Sequence, residues 1–216
     1  MKIDVYNNTG KVVKQIEIQD DVFGISPNEP VVHQALVRQL ANRRTGTADT
    51  KTRGDVNKSG KKLFAQKHTG RARRGSAKTP LLKGGGVVFG PHPRSYNKDM
   101  PKKMQRLALR STLSAKVADG GLKVIDTLAF DEPKTKQMLD ILIALGIGDS
   151  VIVATNDVDL NVIKSARNLI AVKTMPAHLL NVADLLSFKV LLITEEAVRT
   201  AEKLWGQKSA PEKVAE

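Results

Sequence analysis

Apolar residues recur along this chain with two different periods, and the changes between them divide it. Lys2 to Tyr6 alternate polar and apolar, Asn7 to Gly10 are turn formers, and Lys11 to Ile18 alternate again through Val13, Ile16 and Ile18. That pattern predicts a short β-hairpin. After Ser26-Pro27 the period lengthens, with Val32, Leu36 and Leu40 in line and Ala35 beside them, predicting a helix that ends at Arg43 and Arg44. A second helix is expected after Asp99, a candidate cap, with Pro101 in its first turn. Its face is Met104, Leu107, Ala108, Ser111 and Ala115, and Asp119, Gly120 and Gly121 end it.

From Leu122 strands and helices alternate. Leu122 to Ile125 reads as a strand, Pro133 to Leu145 as a helix stopped by Gly146, and Ser150 to Thr155 as a strand of Val and Ile. Leu160 to Leu169 follows as a helix, Ile170 to Met175 as a strand, Val182 to Phe188 as a short helix and Lys189 to Thr194 as a strand. In the last helix Thr194 can cap, Glu195 and Glu196 suit the first turn, and Ala197, Val198, Ala201, Leu204 and Trp205 form one face. Residues 207–216 read as a flexible tail. Strands apolar on both faces, alternating with helices, predict an α/β fold: a largely parallel sheet covered by helices.

Between Thr45 and Lys98 neither period survives, and Gly, Ser, Thr, Lys and Arg dominate. This inserted loop, 45–98, falls between two predicted helices of what reads as a single domain spanning 1–216. Charge sharpens the picture. Asn42 to Arg110 holds 19 basic and 3 acidic residues, against 16 basic and 19 acidic elsewhere, so one third of the chain carries its whole excess of +13. Such a segment cannot bury enough apolar surface to offset the entropy of ordering it, and its cations repel one another. An anionic partner is expected to order it. An amphipathic face suited to a membrane surface is missing, with only scattered Leu63, Phe64, Leu81 and Leu82, so nucleic acid is the expected partner.

Zero cysteines exclude a disulfide framework, a thiolate zinc site and a cysteine nucleophile. The opening MKIDVYNNTG has no signal-peptide core and no run of about 20 apolar residues occurs, so a cytoplasmic chain without a membrane partner is expected. Gly54 to Lys62 imitates a phosphate loop, but five residues separate its glycines and Lys62 stands where Ser or Thr is required. Gly84 to Gly90, GGGVVFG, has no strand before it, and Pro91 and Pro93 bar a helix after it. It reads as backbone that must approach a neighbour closely or turn at positive φ. His33, His68, His92 and His178 show no metal-ligand spacing, and neither HExxH nor GxSxG occurs. No enzyme, cofactor or metal is expected. Arg71, Arg73 and Arg74 offer planar forks to phosphates and Lys58, Lys61, Lys62 and Lys67 point charges, while aromatics are scarce, with Phe64, Phe89 and Tyr96. That combination favours the backbone and shape of a folded RNA over reading of single-stranded bases.

QKHTGRARRGS from Gln66, GGGVVFGPHPRSY from Gly84, PKKM from Pro101 and ARNL from Ala166 together resemble the bacterial large-subunit ribosomal protein L four family over nearly the whole chain. The resemblance implies a Rossmann-like three-layer body on the outer side of the large subunit and a long loop that penetrates its rRNA. It implies as rRNA-binding residues Arg43, Arg44, Lys51, Arg53, Lys58, Lys61, Lys62, Lys67, Arg71, Arg73, Arg74, Lys78, Lys83, Arg94 and Lys98, with Lys102, Lys103 and Arg106 opening the next helix. The loop tip, about Lys61 to Arg74, would help line a constriction of the peptide exit tunnel near the macrolide site, with Lys67, His68, Thr69, Gly70 and Arg71 nearest the tunnel. Expected partners are therefore large-subunit rRNA, other large-subunit proteins and the nascent peptide, on the cytoplasmic ribosome. His68 departs from the family pattern, where many members carry glycine. Some members also bind their own operon's mRNA. Two readings compete: a nucleotide-dependent α/β enzyme, on fold analogy alone, and an unattached regulator of DNA or mRNA.

Overall fold

The computed structural model describes residues 1–206; the expected tail over 207–216 lies outside them. The chain clusters into two compact units, one of Met1–Leu40 with the chain from Asp99 onward, the other of Ala41–Lys98.

The first unit is built on a six-stranded sheet. Its first strands, β1 (Lys2–Tyr6) and β2 (Val12–Glu17), pair antiparallel, and Asn7 closes their turn by accepting from the backbone N–H groups of Thr9 and Lys11, both at 3.0 Å. Then come the helices α1 (Asp20–Phe23), α2 (Glu29–Asn42) and α3 (Lys102–Ala118). The remainder is β3 (Leu122–Ile125), α4 (Thr135–Ala144), β4 (Val151–Thr155), α5 (Leu160–Ala166) and β5 (Val172–Pro176), a 3-10 turn at Ala177–Leu179, α6 (Val182–Ser187), β6 (Val190–Thr194) and α7 (Glu195–Trp205). Strand order is β2-β1-β3-β6-β4-β5, with every pairing after the hairpin parallel. The expected fold class is the one observed.

Alternate residues of the central strands enter opposite cores, which explains why these strands read as unbroken apolar runs. Val124, Ile152, Ala154, Leu191 and Ile193 pack on one side with Phe23, Leu113, Leu185, Val198 and Trp205. Ile125, Val151, Val153 and Leu192 pack on the other with Met138, Leu142, Val162 and Ala166. Gly146 does stop α4: its N–H donates to Ile143 and that of Ile147 to Leu142, the paired bonds of a Schellman end.

Several local expectations are corrected. Asp99 does not cap α3; Pro101 occupies the N-cap position, with φ −56° and ψ 137°, and no side chain bonds there, because Asp99 lies two residues too early to reach the first turn. On α2 Ala35 is the buried centre, with Val31 and the expected Val32 packed beside it, while Leu36 is only half-buried and Leu40 is exposed. Toward the end of the helix Gln39 accepts from the Ala183 N–H at 3.2 Å, a polar contact that hydrophobic periodicity cannot register. On α7 Thr194 caps as expected, accepting from Ala197 N–H, but Leu204 is exposed and Glu202 is buried in its place. The Glu202 carboxylate accepts from Gln19 N–H at 2.8 Å and from Arg199 at 2.9 Å. The short helix α1 had no periodic signal at all.

Candidate nucleic-acid interface

The second unit, Ala41–Lys98, contains neither helix beyond the last residues of α2 nor a paired strand, only an isolated antiparallel bridge between Lys62 and Ser76. Its two halves are nevertheless joined by hydrogen bonds. Asn42 accepts from Lys98 N–H at 2.8 Å, Gly46 from Arg94 N–H at 3.2 Å, and Pro91 from the Thr50 hydroxyl at 3.2 Å. Further along, Lys51 C=O accepts from Val87 N–H at 3.0 Å, Lys83 C=O from the Lys58 ammonium at 2.7 Å, and Gly75 C=O from Leu63 N–H at 3.1 Å. As one partner advances, the other recedes. Two lengths of chain therefore run antiparallel from 42 and 98 to a turn-back over 64–74.

Of the described residues in 41–98 only Gly86 is buried. A Cβ at Gly86 would lie 2.3 Å from Arg53 N and 2.5 Å from Thr52 C, so only glycine lets the two lengths of backbone touch there. The close approach expected of GGGVVFG is thus to the opposing half of its own loop. Gly86→Ala is expected to separate the halves: trypsin should cut 45–98 several-fold faster, with the melting temperature of the first unit unchanged.

Burial is nearly absent, so charge dominates this unit. It holds 15 Lys and Arg against two acids, a net of +13, while the remainder of the chain has 20 of each sign. Both acids are engaged locally. Asp55 accepts from the Thr52 hydroxyl at 2.5 Å and its N–H at 3.0 Å, bonds that hold its carboxyl below the ordinary range, and Asp49 meets His92 Nδ1 at 3.0 Å. The Arg44 and Arg94 guanidiniums lie 3.9 and 4.6 Å from the centre of the Tyr96 ring, and the hydrogen bond to Arg94, then the charge of Arg44, lower the phenol's pKa.

The sequence-predicted cations fall in two sets. Arg43, Arg44, Lys51, Arg53, Lys58, Lys61, Lys62, Lys67, Arg71, Arg73, Arg74, Lys83, Arg94 and Lys98 are exposed on the basic unit, with Lys78 half-buried. Lys102, Lys103 and Arg106 are exposed on α3 in the first unit. Lys67, His68, Thr69, Gly70 and Arg71 lie in the turn-back, all exposed, and Lys62 donates to Gln66 at its edge. His68 has φ +63°, the sole non-glycine residue at positive φ among those described, and Gly70 has φ +64°. Histidine tolerates the left-handed region better than most side chains, so this backbone accommodates the departure from glycine at modest cost.

A nucleotide site of the kind that doubly wound sheets form would lie beyond the carboxyl ends of the strands. The crevice there, past β3, β4 and β6, is lined by Asp126, Asp157, Asp159 and Glu196. Four carboxylates repel phosphate, and the turn after β1 leads into β2 instead of a helix. Among the described residues no His, Asp or Glu group is arranged to hold a metal, and no helix is long and apolar enough to cross a membrane.

The model of the ribosomal protein L4/L1 family matches residues 16–204. Among curated relatives, large ribosomal subunit protein uL4 of Dehalococcoides mccartyi is 55% identical over 209 residues, 97% of this chain and all of the relative. The uL4 proteins of Desulforamulus reducens and Pelotomaculum thermopropionicum are 50% and 47% identical, each alignment covering 94% of this chain and 98% of the relative.

Proposed function

The chain belongs to the ribosomal protein L4/L1 family, and on that premise we propose that it is a structural constituent of the large ribosomal subunit that grips large-subunit rRNA through residues 45–98. It is a ribosomal protein and not an enzyme. The observation that carries the rRNA reading is the segregation of charge: an exposed unit of +13 beside a remainder in which acids and bases balance. Lysines and arginines that neutralise phosphates release condensed counterions, so a surface of this kind gains affinity from any RNA backbone it can follow. Thin Gly, Ser and Thr backbone between the cations lets two lengths of chain enter a cleft between RNA helices. The near-neutral α/β unit meets neighbouring subunit proteins and the outer rRNA, with Lys102, Lys103 and Arg106 adding phosphate contacts. Its place is the ribosome, in the cytoplasm.

Sedimentation tests this directly: the native protein should stay with large subunits through a high-salt cushion. An unattached regulator of DNA or mRNA would wash off, and recovery in the supernatant would remove the ribosomal reading.

The finer part of the proposal concerns residues 64–74, with Lys67 to Arg71 at the wall of the peptide exit tunnel, near the macrolide site and the nascent peptide. Lys67 is exposed, so Lys67→Glu should cost little stability. Reversing a charge beside rRNA phosphates replaces attraction with repulsion and displaces the tip. Ribosomes with Lys67→Glu should assemble, yet differ in macrolide sensitivity and in stalling on arrest peptides from ribosomes with the exposed substitution Lys203→Glu. Equality of the two in both assays would place the tip elsewhere.

A further inference from the structure

The basic unit has three aromatic rings, and they are disposed differently. Phe64 is half-buried, and Tyr96 is half-buried with the guanidiniums of Arg44 and Arg94 against its ring. Phe89 is 98% exposed. Leaving a phenyl ring in water forfeits the burial that would ordinarily favour its side chain.

This exposure does not come from slack backbone, because both sides of Phe89 are fastened to the opposing half of the loop. Before it, Gly86 lies against the Thr52–Arg53 backbone, and Val87 N–H donates to Lys51 C=O at 3.0 Å. After it, a Cβ on Gly90 would fall 2.0 Å from Thr50 Oγ1, and that hydroxyl donates to Pro91 C=O at 3.2 Å. Pro91 adds a fixed φ. The ring therefore stands out from a pinned segment, next in line to Val88, also exposed, and across from Lys51 and Arg53. The entropic cost of presenting it is met within the protein, before any ligand arrives.

We infer that Phe89 is a base-stacking residue: an unpaired nucleobase of the bound RNA packs on its ring while Lys51 and Arg53 neutralise the adjoining phosphates. The inference rests on the rRNA reading above and adds to it one position at which a base, and not only backbone and shape, is held. An apolar side chain surrounded by this much positive charge suits a ligand that is itself both aromatic and anionic, which a nucleotide is and an apolar protein pocket is not. Stacking needs a π-face and is indifferent to which base supplies the partner. A merely apolar contact would accept leucine equally well.

The test uses the full-length chain and protein-free large-subunit rRNA transcript, measuring affinity across a salt series for the wild type, Phe89→Ala, Phe89→Leu and Phe89→Trp. Stacking contributes roughly a 5- to 150-fold gain per base, so Phe89→Ala and Phe89→Leu should both weaken binding within that range, and Phe89→Trp should retain it. The salt slope should be the same in all four, since no cation has been removed. Wild type that fails to bind the transcript overturns the rRNA reading itself. If the wild type binds and Phe89→Ala binds as well, or if Phe89→Leu matches the wild type, base stacking is refuted while the rRNA reading stands. A Phe89→Ala defect seen only when other subunit proteins are present would assign Phe89 to a protein neighbour and likewise overturn the inference.

Discussion

Removing residues 51–98 and closing the gap with a short glycine linker should leave a folded protein that binds rRNA weakly and with little response to salt. The deletion takes out 13 of the chain's 35 Lys and Arg and only one acid, Asp55. If six to ten of those cations sit on phosphates, the slope of log Kobs against log salt should become shallower by about 5 to 9. The folded remainder should persist because none of the three buried apolar clusters includes a residue from this segment. Circular dichroism and melting of the deletion variant supply the control. A folded variant with an unchanged slope would move the RNA-binding surface to the sheet-bearing unit.

Leu191→Ala is expected to cost about 2–5 kcal/mol, a large share of the roughly 5–15 kcal/mol that holds a typical domain together. Leu191 is fully buried on β6, with Leu122 of β3 and Ile152 of β4 as its partners in register on either side, so the strands around it cannot close over the void. The same truncation at Leu204, 41% exposed on α7, should cost well under 1 kcal/mol. Urea unfolding of both variants checks the pair. Near-equal losses would mean that α7 packs through the face its hydrophobic pattern suggests and not through Glu202.

Much of this protein was decided locally and was therefore legible in its sequence. The turn at Asn7–Gly10, the Thr194 cap and the stop at Gly146 each depend on side chains and backbone within a few residues of one another, which is the range over which sequence patterns report. Unbroken apolar strands alternating with helices imply a covered parallel sheet by themselves. The charge of 41–98 is likewise a property of composition alone. Motif likeness, confirmed by a family match over residues 16–204, supplied the ribosomal identity, which no periodicity contains.

What only the tertiary structure decided depends on partners distant along the chain. The order β2-β1-β3-β6-β4-β5 follows from crossovers whose lengths do not name the strand they reach. Gln39 of α2 accepts from an N–H of Ala183, 144 positions away, and Glu202 is buried where Gln19, 183 positions away, presents an N–H to it, while Leu204 is left exposed. The basic loop shows the same division most clearly. Its composition predicts little burial, and little is present, yet its halves are joined by bonds such as Thr50 to Pro91 and Val87 to Lys51, between residues with no shared period. Local pattern records which face of an element is apolar; it carries no information about a single polar group or glycine whose partner is brought near only when the chain has folded.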